Sequence, residues 1–473
     1  MRDDDRARSL RMPEKAAALD ARVHVSGKGG MVVDKALSWG ERVWLEGWRR
    51  WATVGRPLGA GSEGVVHEVV PDGAAAAPLA LLWLRSDRAT PELREAIARL
   101  VAAGLDDRFL WPLDLALIPG RAEFGFVMAL RRPELASMYD LFRQDVDPSW
   151  RVLARVGMEL ADAFSQLHAR GLCYGEANFG QVFFDPMTGD IAMCGYDTMV
   201  AIGTPARLLG TLGFEAPEVG RGERLPDVAT ARHSLAVLLF QMFVRHDPFL
   251  GRAEQRFRML DHDAARYLWA DHPVFIFDPG DRSNAPVPGE HLNPLTIWPL
   301  LPGFIRRLFT QVFTTGLVDP DTGRVTEREW RVAMARLRDL VWACPTCAAE
   351  QVFDPDGQEA DLPCWSCATA NRPPMRLRLE RPGTTDIVVL GPDAVLHEHH
   401  LTDRRYVYEN ALATVTAHPT DPKRWGLTNQ TRSPWQLSSG RGQQQVDPGR
   451  TVGLQPGTVV RFGSIKGMGT VDE

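Results

Sequence analysis

The chain has 473 residues, which is too long for one hydrophobic core and indicates about three domains. Hydrophobic residues make up 44% and charged residues 24% of the sequence, which is typical of a soluble globular protein. The formal net charge of -6 argues against a broad nucleic-acid-binding surface, which would be basic. No apolar run reaches the roughly 20 residues that a membrane span needs.

The N-terminal stretch, residues 1 to about 30, is polar and lacks the apolar core of a signal peptide. We therefore expect a tail in a cytoplasmic protein. Four tryptophans follow within residues 39–51: Trp39, Trp44, Trp48 and Trp51. We expect this set to pack against the rest of the chain, and binding to a partner protein is the alternative.

A glycine-rich loop comes next, with Gly59, Gly61 and Gly64 in the pattern G-x-G-x-x-G between two predicted strands. Such a loop can fold its backbone N–H groups over phosphates, and the alternative is a tight strand turn. The third predicted strand runs from Leu79 to Leu84. A helix follows, with Thr90 as its N-cap and Pro91 in its first turn.

The most informative stretch runs from Gly171 to Val200. It contains Tyr174-Gly175-Glu176, then Gln181, then Gly195-Tyr196-Asp197. Further along the chain lie Ala216-Pro217-Glu218, a long apolar helix around residues 233–240, and Arg324-Val325-Thr326.

The order and spacing of these motifs over residues 52 to 340 resemble the protein kinase fold. The resemblance implies two lobes, an N-lobe at residues 51–131 and a C-lobe at 132–341, preceded by a tail with the Trp-rich segment at 1–50. We therefore expect an α+β protein with a two-lobed kinase-like fold.

The residues that carry kinase chemistry are replaced. The resemblance puts Leu82 where a kinase has its phosphate-pairing Lys, and Gly195 where it has a metal-binding Asp. Glu176 stands at the catalytic base and Gln181 at the second metal ligand, each one methylene longer than the kinase residue. Because about 1 Å of misplacement can cost on the order of a hundredfold in rate, we expect a pseudokinase, not an enzyme.

Two alternatives remain open. The glycine loop at Gly59, Gly61 and Gly64 leaves binding of ATP without phosphoryl transfer as one of them. The other is an atypical active Ser/Thr protein kinase that uses Glu176 as its base and Asp197 as a metal ligand.

Four cysteines form two C-x2-C pairs separated by sixteen residues, Cys344 and Cys347, then Cys364 and Cys367. Four thiolates at this spacing can close a tetrahedron on zinc without leaving a position for substrate. We predict a structural zinc ribbon at residues 342–373, with a pair of redox dithiols as the alternative. The intervening loop is acidic, which disfavours nucleic-acid binding.

From residue 374 to 473 the pattern changes to short alternating strands separated by turns, which predicts an all-β sandwich. Leu427-Thr428-Asn429, Trp435, Gly449 and Phe462-Gly463 resemble a forkhead-associated domain. The phosphate-gripping Arg of that family is missing after Gly391, which argues against phosphopeptide recognition. The histidines at 397, 399 and 400 should alternate faces along a strand, so we expect no metal site there.

This combination of domains resembles bacterial kinase-like proteins of the tellurium-resistance type. The resemblance implies von Willebrand factor A-type proteins and metal-dependent Ser/Thr phosphatases as partners. The expected function is a signalling scaffold in a bacterial stress or defence system, with no membrane partner and no nucleic acid.

Overall fold

The computed structural model describes residues 37–61, 63–73, 78–175, 178–196, 199–204, 213–357, 362–371, 374–381, 384–391, 394–418, 420–440, 442–462 and 468–472. The fold is mixed α+β, with a barrel, a helical body, a pair of small hairpins and a two-sheet sandwich in chain order. None of the described helices is long and apolar enough to cross a membrane.

The first unit is a closed antiparallel barrel with the strand order β1-β2-β3-β4-β6-β5. Its strands are β1 (Arg42–Leu45), β2 (Arg50–Ala60), β3 (Gly64–Pro71), β4 (Leu79–Leu84), β5 (Asp114–Leu117) and β6 (Phe124–Ala129). Helix α1 (Pro91–Ala103) begins as predicted, because the Thr90 side chain accepts a hydrogen bond from the backbone N–H of Leu93. Its apolar face, Leu93, Ile97 and Leu100, is buried.

Strand β1 closes the barrel by pairing with both β2 and β5. Residues before position 50 thus contribute to the barrel, since Val43 and Leu45 are fully buried inside it. Within the Trp-rich segment, the ring of Trp44 packs edge-on against Trp51 at 5.4 Å, whereas 77% of Trp39 is exposed.

The helical body begins with β7 (Ala136–Ser137) and ends with the helix before the cysteines. Its helices are α2 (Met138–Arg143), α3 (Trp150–Ala169), α4 (Pro217–Gly220), α5 (Val228–Val244), α6 (His262–Arg266), α7 (Leu292–Ile297), α8 (Gly303–Phe313), α9 (Thr315–Val318) and α10 (Glu327–Asp339). Its remaining strands are β8 (Leu172–Tyr174), β9 (Val182–Phe184), β10 (Ile191–Met193) and β11 (Met199–Ala201).

Helix α5 lies at the centre of this body. Its residues from Leu235 to Val244 are buried, as expected for a helix that is apolar all round. Asp227 caps its N-terminus and accepts a hydrogen bond from the backbone N–H of Thr230. Helices α3 and α8 pack against α5, and this packing forms the main hydrophobic core.

Two hairpins carry the four cysteines and form the ribbon. They are built from β12 (Val341–Ala343) with β13 (Glu350–Val352), and β14 (Leu362–Pro363) with β15 (Ala370–Asn371). Phe353, just after β13, is buried in the core of the helical body. The ribbon is therefore docked on the helices.

The last unit, the sandwich, has a six-stranded and a four-stranded sheet with the orders β17-β16-β25-β24-β21-β22 and β18-β19-β20-β23. The strands are β16 (Arg376–Arg381), β17 (Thr384–Val389), β18 (Val395–His397), β19 (Ala411–His418), β20 (Asp421–Asn429), β21 (Trp435–Ser439), β22 (Gly442–Val446), β23 (Thr451–Gly453), β24 (Val459–Arg461) and β25 (Met468–Asp472). One short helix, α11 (Glu398–Leu401), follows β18. Trp435 and Phe462 pack edge-on at 5.1 Å in the core between the sheets.

Candidate functional site

Leu82 lies on β4 between α1 and β6, and only 7% of the residue is exposed. It belongs to an apolar cluster with Leu93 and Ile97 of α1, Phe126 of β6 and the ring of Tyr196. The rings of Tyr196 and Phe126 meet edge-on at 4.7 Å. Among the described residues, the hydrophobic side chains packed around Leu82 offer no countercharge to a cation at this position, which would lose its hydration there.

Two charged residues, Glu95 and Arg85, were candidates for the ion pair that the kinase resemblance implies near Leu82, and both are exposed. Glu95 lies on the exposed face of α1. The Nε atom of Arg85 lies 3.3 Å from Oδ1 of Asp87 at the surface.

The three glycines of the glycine loop have different structural roles. A Cβ atom on Gly64 would come within 2.0 Å of the carbonyl oxygen of Trp83, so the close packing of β3 on β4 requires a glycine. On Gly59 or Gly61 a Cβ atom would meet no described atom within 4 Å. Packing thus accounts for Gly64, while a side chain at Gly59 or Gly61 would meet open space and the Gly61 N–H donates to the carbonyl oxygen of Gly64 at 2.9 Å.

Gln181 is largely buried at the end of a short 3-10 helix, Phe179–Gln181. Its side-chain oxygen accepts a hydrogen bond from the backbone N–H of Asn178 at 3.2 Å. The side chain is thus turned back onto its own helical turn. Glu176 and Asp197, the residues of the active-kinase alternative, lie outside the described residues.

Gly195 has a backbone φ of +111°, in the region that side-chain-bearing residues rarely adopt. The hydroxyl of Tyr174 donates a hydrogen bond to the carbonyl oxygen of the preceding residue, Cys194, at 3.1 Å. Gly195 brings no side-chain oxygen to the segment, and an Asp in this conformation would be strained.

The four predicted cysteine ligands come together. The sulfur atoms of Cys344 and Cys367 lie 3.8 Å apart, and those of Cys347 and Cys364 lie 3.7 Å apart. All four sulfur atoms lie within 4.8 Å of one another. Zinc–sulfur bonds of about 2.3 Å in a tetrahedron require sulfur separations of about 3.8 Å, so the cluster is compatible with a zinc ion.

The two C-x2-C turns, or knuckles, have nearly the same backbone. In the first, the backbone N–H of Thr346 donates to the sulfur of Cys344 at 3.4 Å, and in the second Ser366 donates to Cys364 at 3.4 Å. The residue after each knuckle, Ala348 or Ala368, has a φ near +60°. This repeated and strained turn aims two backbone N–H groups at thiolate positions.

Two further side chains hydrogen-bond the sulfurs, and the sequence analysis missed them. Asn371 Nδ2 lies 3.1 Å from the sulfur of Cys344, and Gln351 Nε2 lies 3.3 Å from the sulfur of Cys364. Each stands four residues after the last cysteine of its own knuckle and donates to the first cysteine of the other. That equal offset was a signal available in the sequence.

These donors also favour the thiolate form of Cys344. Burial raises the pKa of the Cys344 thiol, but hydrogen bonds from backbone N–H groups and from Asn371 outweigh it and lower the pKa to about 6. A thiolate is the form that binds a metal ion.

Three described acidic residues between the knuckles, Glu350, Asp354 and Asp356, attach the ribbon to the helical body. Glu350 accepts a hydrogen bond from the backbone N–H of Trp150, and Asp354 accepts one from Gly303 at the start of α8. Asp356 pairs with Arg307 at 2.7 Å. These carboxylates are therefore docking contacts and do not form a free acidic surface.

A second cluster that could hold a metal ion joins Asp339 to His399 and His400, and all three residues are buried. The two histidines share a helical turn, α11, so the expectation that they alternate faces along a strand is wrong. Their Nδ1 atoms accept backbone N–H groups from Tyr406 and His397. The proton of each neutral ring must then lie on Nε2, the atom facing Asp339, which leaves no lone pair there for a metal.

Neither the models of protein families nor the curated proteins compared with this chain match it. The proposals below therefore depend on the geometry of these sites.

Proposed function

We propose that the chain is a catalytically inactive, protein kinase-like scaffold that mediates protein–protein interactions in a bacterial stress or defence signalling system. The observation that carries this proposal is the apolar cluster around Leu82. Phosphoryl transfer needs cations to neutralise the developing charge of the phosphates. A buried leucine between α1 and β6 supplies neither a charge nor a hydrogen-bond donor.

Contacts between motifs that are distant in sequence support the kinase-like part of the proposal. Glu218 of the Ala-Pro-Glu motif and Arg324 of the Arg-x-Thr motif form a buried pair, with Nη2 of Arg324 2.8 Å from Oε2 of Glu218. If the two motifs matched by chance, their residues would not be expected to contact each other in the folded chain. The glycine turn between β2 and β3, then β4, then α1, also follow in the order of a kinase N-lobe.

The metal-binding positions support the inactive part of the proposal. Magnesium ions at phosphates are held by oxygen ligands. Gly195 has no side-chain oxygen, and the oxygen of Gln181 is engaged at Asn178. The absence of described atoms within 4 Å of a Cβ at Gly59 or Gly61 keeps nucleotide binding without transfer as an alternative.

We propose that the four cysteines hold one structural zinc ion. Four protein thiolates complete a tetrahedral shell, so no position is left for a substrate. The ion would join two hairpins that are too short to have a core of their own. It would thereby hold Glu350 and Asp354 in place against the helical body.

We propose that the sandwich is a forkhead-associated-like domain that does not grip phosphothreonine. Asn429, one of the residues of the resemblance, is fully buried, and its amide donates to the carbonyl oxygens of Ser433 and Val446. A buried amide that is engaged in this way supports its own fold. The partners implied by the resemblance, von Willebrand factor A-type proteins and metal-dependent phosphatases, would then bind elsewhere.

A phosphoryl-transfer assay tests the proposal. Purified protein is incubated with radiolabelled ATP, magnesium or manganese, and generic protein substrates. We expect no incorporation above that of the Glu176→Ala and Asp197→Ala variants. Incorporation by the wild-type protein that either variant abolishes would instead establish the atypical active kinase.

A further inference from the structure

The sandwich is attached to the helical body by apolar packing that includes Val389 and, beside it, through a group of histidines. This histidine interface comprises Asp339 at the end of α10 and His397, His399, His400 and Tyr408 of the sandwich. Asp339, His399, His400 and Tyr408 are buried. Since Asp339 belongs to the helical body and the others to the sandwich, these contacts exist only when the two units are docked.

The rings of His399 and His400 face Asp339 through their Nε2 atoms. Nε2 of His400 lies 3.0 Å from Oδ1 of Asp339, and Nε2 of His399 lies 3.9 Å from Oδ2. The Nδ1 atom of each ring accepts a backbone N–H, so an added proton would place a second N–H against that donor. A doubly protonated His399 or His400 therefore cannot keep these hydrogen bonds.

The charges around the rings act in both directions, because Asp339 favours an added proton on His399 whereas Arg405 and Arg381 oppose it. The cations that face the interface are Arg338, with its guanidinium 3.9 Å from the Tyr408 ring, Arg155 over the same ring, and Arg381 and Arg405 from the sandwich. The carboxylates are Asp339, Asp386 and Glu398, but Asp386 already pairs with Arg381 and Arg405. Arg381 also donates to the carbonyl oxygens of His399 and His400. Arg155 also pairs with Glu159, and Glu398 pairs with Arg404.

We propose that the histidine interface is an acid-sensitive latch, which docks the sandwich on the helical body near neutral pH and releases it on acidification. The proposal is independent of whether the chain transfers phosphate. The part of the chain that docks at Asp339 on the helical body is its own sandwich.

The titration of the rings gives the pH window. Burial lowers the pKa of His399 to about 3, and burial together with Arg338 lowers the pKa of His397 to about 4. Both pKa values lie below the roughly 6.5 of an exposed histidine. Between the pKa of the docked ring and that of the exposed ring, the undocked state therefore binds more protons than the docked state. The contribution of these two rings to docking is therefore fully present above about pH 6.5 and is lost as the pH falls toward 4, by up to about tenfold per pH unit for each ring.

Hydrogen exchange of the full-length protein, followed by mass spectrometry between pH 7 and pH 5, tests the latch. After correction for intrinsic exchange rates, we expect protection of residues 397–408 and of the end of α10 to fall by at least about tenfold. Protection of the central helix α5 should stay constant, which separates release of the sandwich from global unfolding.

A matched pair of variants sharpens the test. His397→Gln/His399→Gln removes the two rings whose pKa is lowered by burial and should reduce the pH dependence of residues 397–408. His262→Gln, at an exposed histidine of α6, should keep the wild-type response. Equal protection of residues 397–408 at pH 5 and pH 7 in the wild-type protein would overturn the proposal, even if the double variant does not fold. A wild-type pH response in the folded double variant would also overturn it.

Discussion

Around the four cysteines, the neighbouring polar side chains point at the sulfur atoms, whereas around Leu82 the neighbouring side chains are apolar. Both regions contain motifs that are clear in the sequence. In the ribbon the spacing and the ligand atoms are both kept. In the proposed kinase-like core the spacing is kept and the reactive groups are gone. Under the proposed function, the order of the motifs serves the architecture while the chemistry of the ribbon's ligands is the part that is kept.

The largest expected effect is the loss of the cysteine cluster. Cys344→Ser should remove bound zinc and unfold the ribbon, because zinc supplies folding free energy to short hairpins, about 10–16 kcal/mol in isolated zinc-finger peptides. Metal analysis and limited proteolysis at residues 341–371 would measure this. Cys194→Ser, at a cysteine outside the cluster, should keep one zinc per chain. Retention of stoichiometric zinc by Cys344→Ser would contradict the assignment.

Next in size is the buried pair that joins the two motifs of the helical body. Glu218→Gln leaves the buried guanidinium of Arg324 without a countercharge and should lower the free energy of unfolding by about 3–5 kcal/mol. The exposed pair of Arg307 and Asp356 offers a control, since Arg307→Gln should cost at most about 1 kcal/mol. Chemical denaturation measures both. Equal effects of the two changes would show that the motif contact has no special architectural role.

The glycine loop offers a comparison within one motif. Gly64→Ala should destabilise the barrel by about 1–3 kcal/mol, near the upper end because of the contact with the Trp83 carbonyl. Gly61→Ala should change the stability by less than about 1 kcal/mol, since its Cβ would meet open space. Thermal denaturation of the two variants checks this. A larger loss for Gly61→Ala would mean that the loop has packing constraints like those at Gly64.

The smallest expected effect concerns the side chains that donate to the sulfurs. Asn371→Ala should weaken zinc binding by about tenfold, because it removes a hydrogen bond to the sulfur of Cys344. Competition with a chromogenic chelator measures the affinity, and Gln443→Ala on the exposed strand β22 is the control. An unchanged zinc affinity in Asn371→Ala would show that the hydrogen bond from Asn371 does not contribute to zinc binding.

Local patterns in the sequence predicted the structural features that depend on residues close together in the chain. The cap at Thr90, the buried face of α1 and the four cysteines were all found in this way, because caps, helical faces and knuckles are short-range features. Contacts between distant segments were missed. Strand β1 closes the barrel against β5, and Asp339 meets two histidines about sixty residues later. No short-range periodicity encodes either contact.

The histidine segment also shows how a local error propagates. Residues 397–400 were expected to lie along a strand, which would have placed the side chains of His399 and His400 on opposite faces. A single helical turn puts both rings on the same carboxylate. A metal site is disfavoured for a different reason, the hydrogen bonds that the Nδ1 atoms accept, and those bonds depend on the tertiary fold.

The most direct test of the central claim is a thermal-shift titration of the full-length protein with ATP, with and without magnesium. A ligand that binds only the native state raises the melting temperature, by mass action, as its concentration exceeds the dissociation constant. An inactive scaffold with Leu82 at the cation position predicts no shift that depends on magnesium. A magnesium-dependent shift that is lost in Asp197→Ala would contradict the account, because it would show that the chain still assembles a metal–nucleotide site.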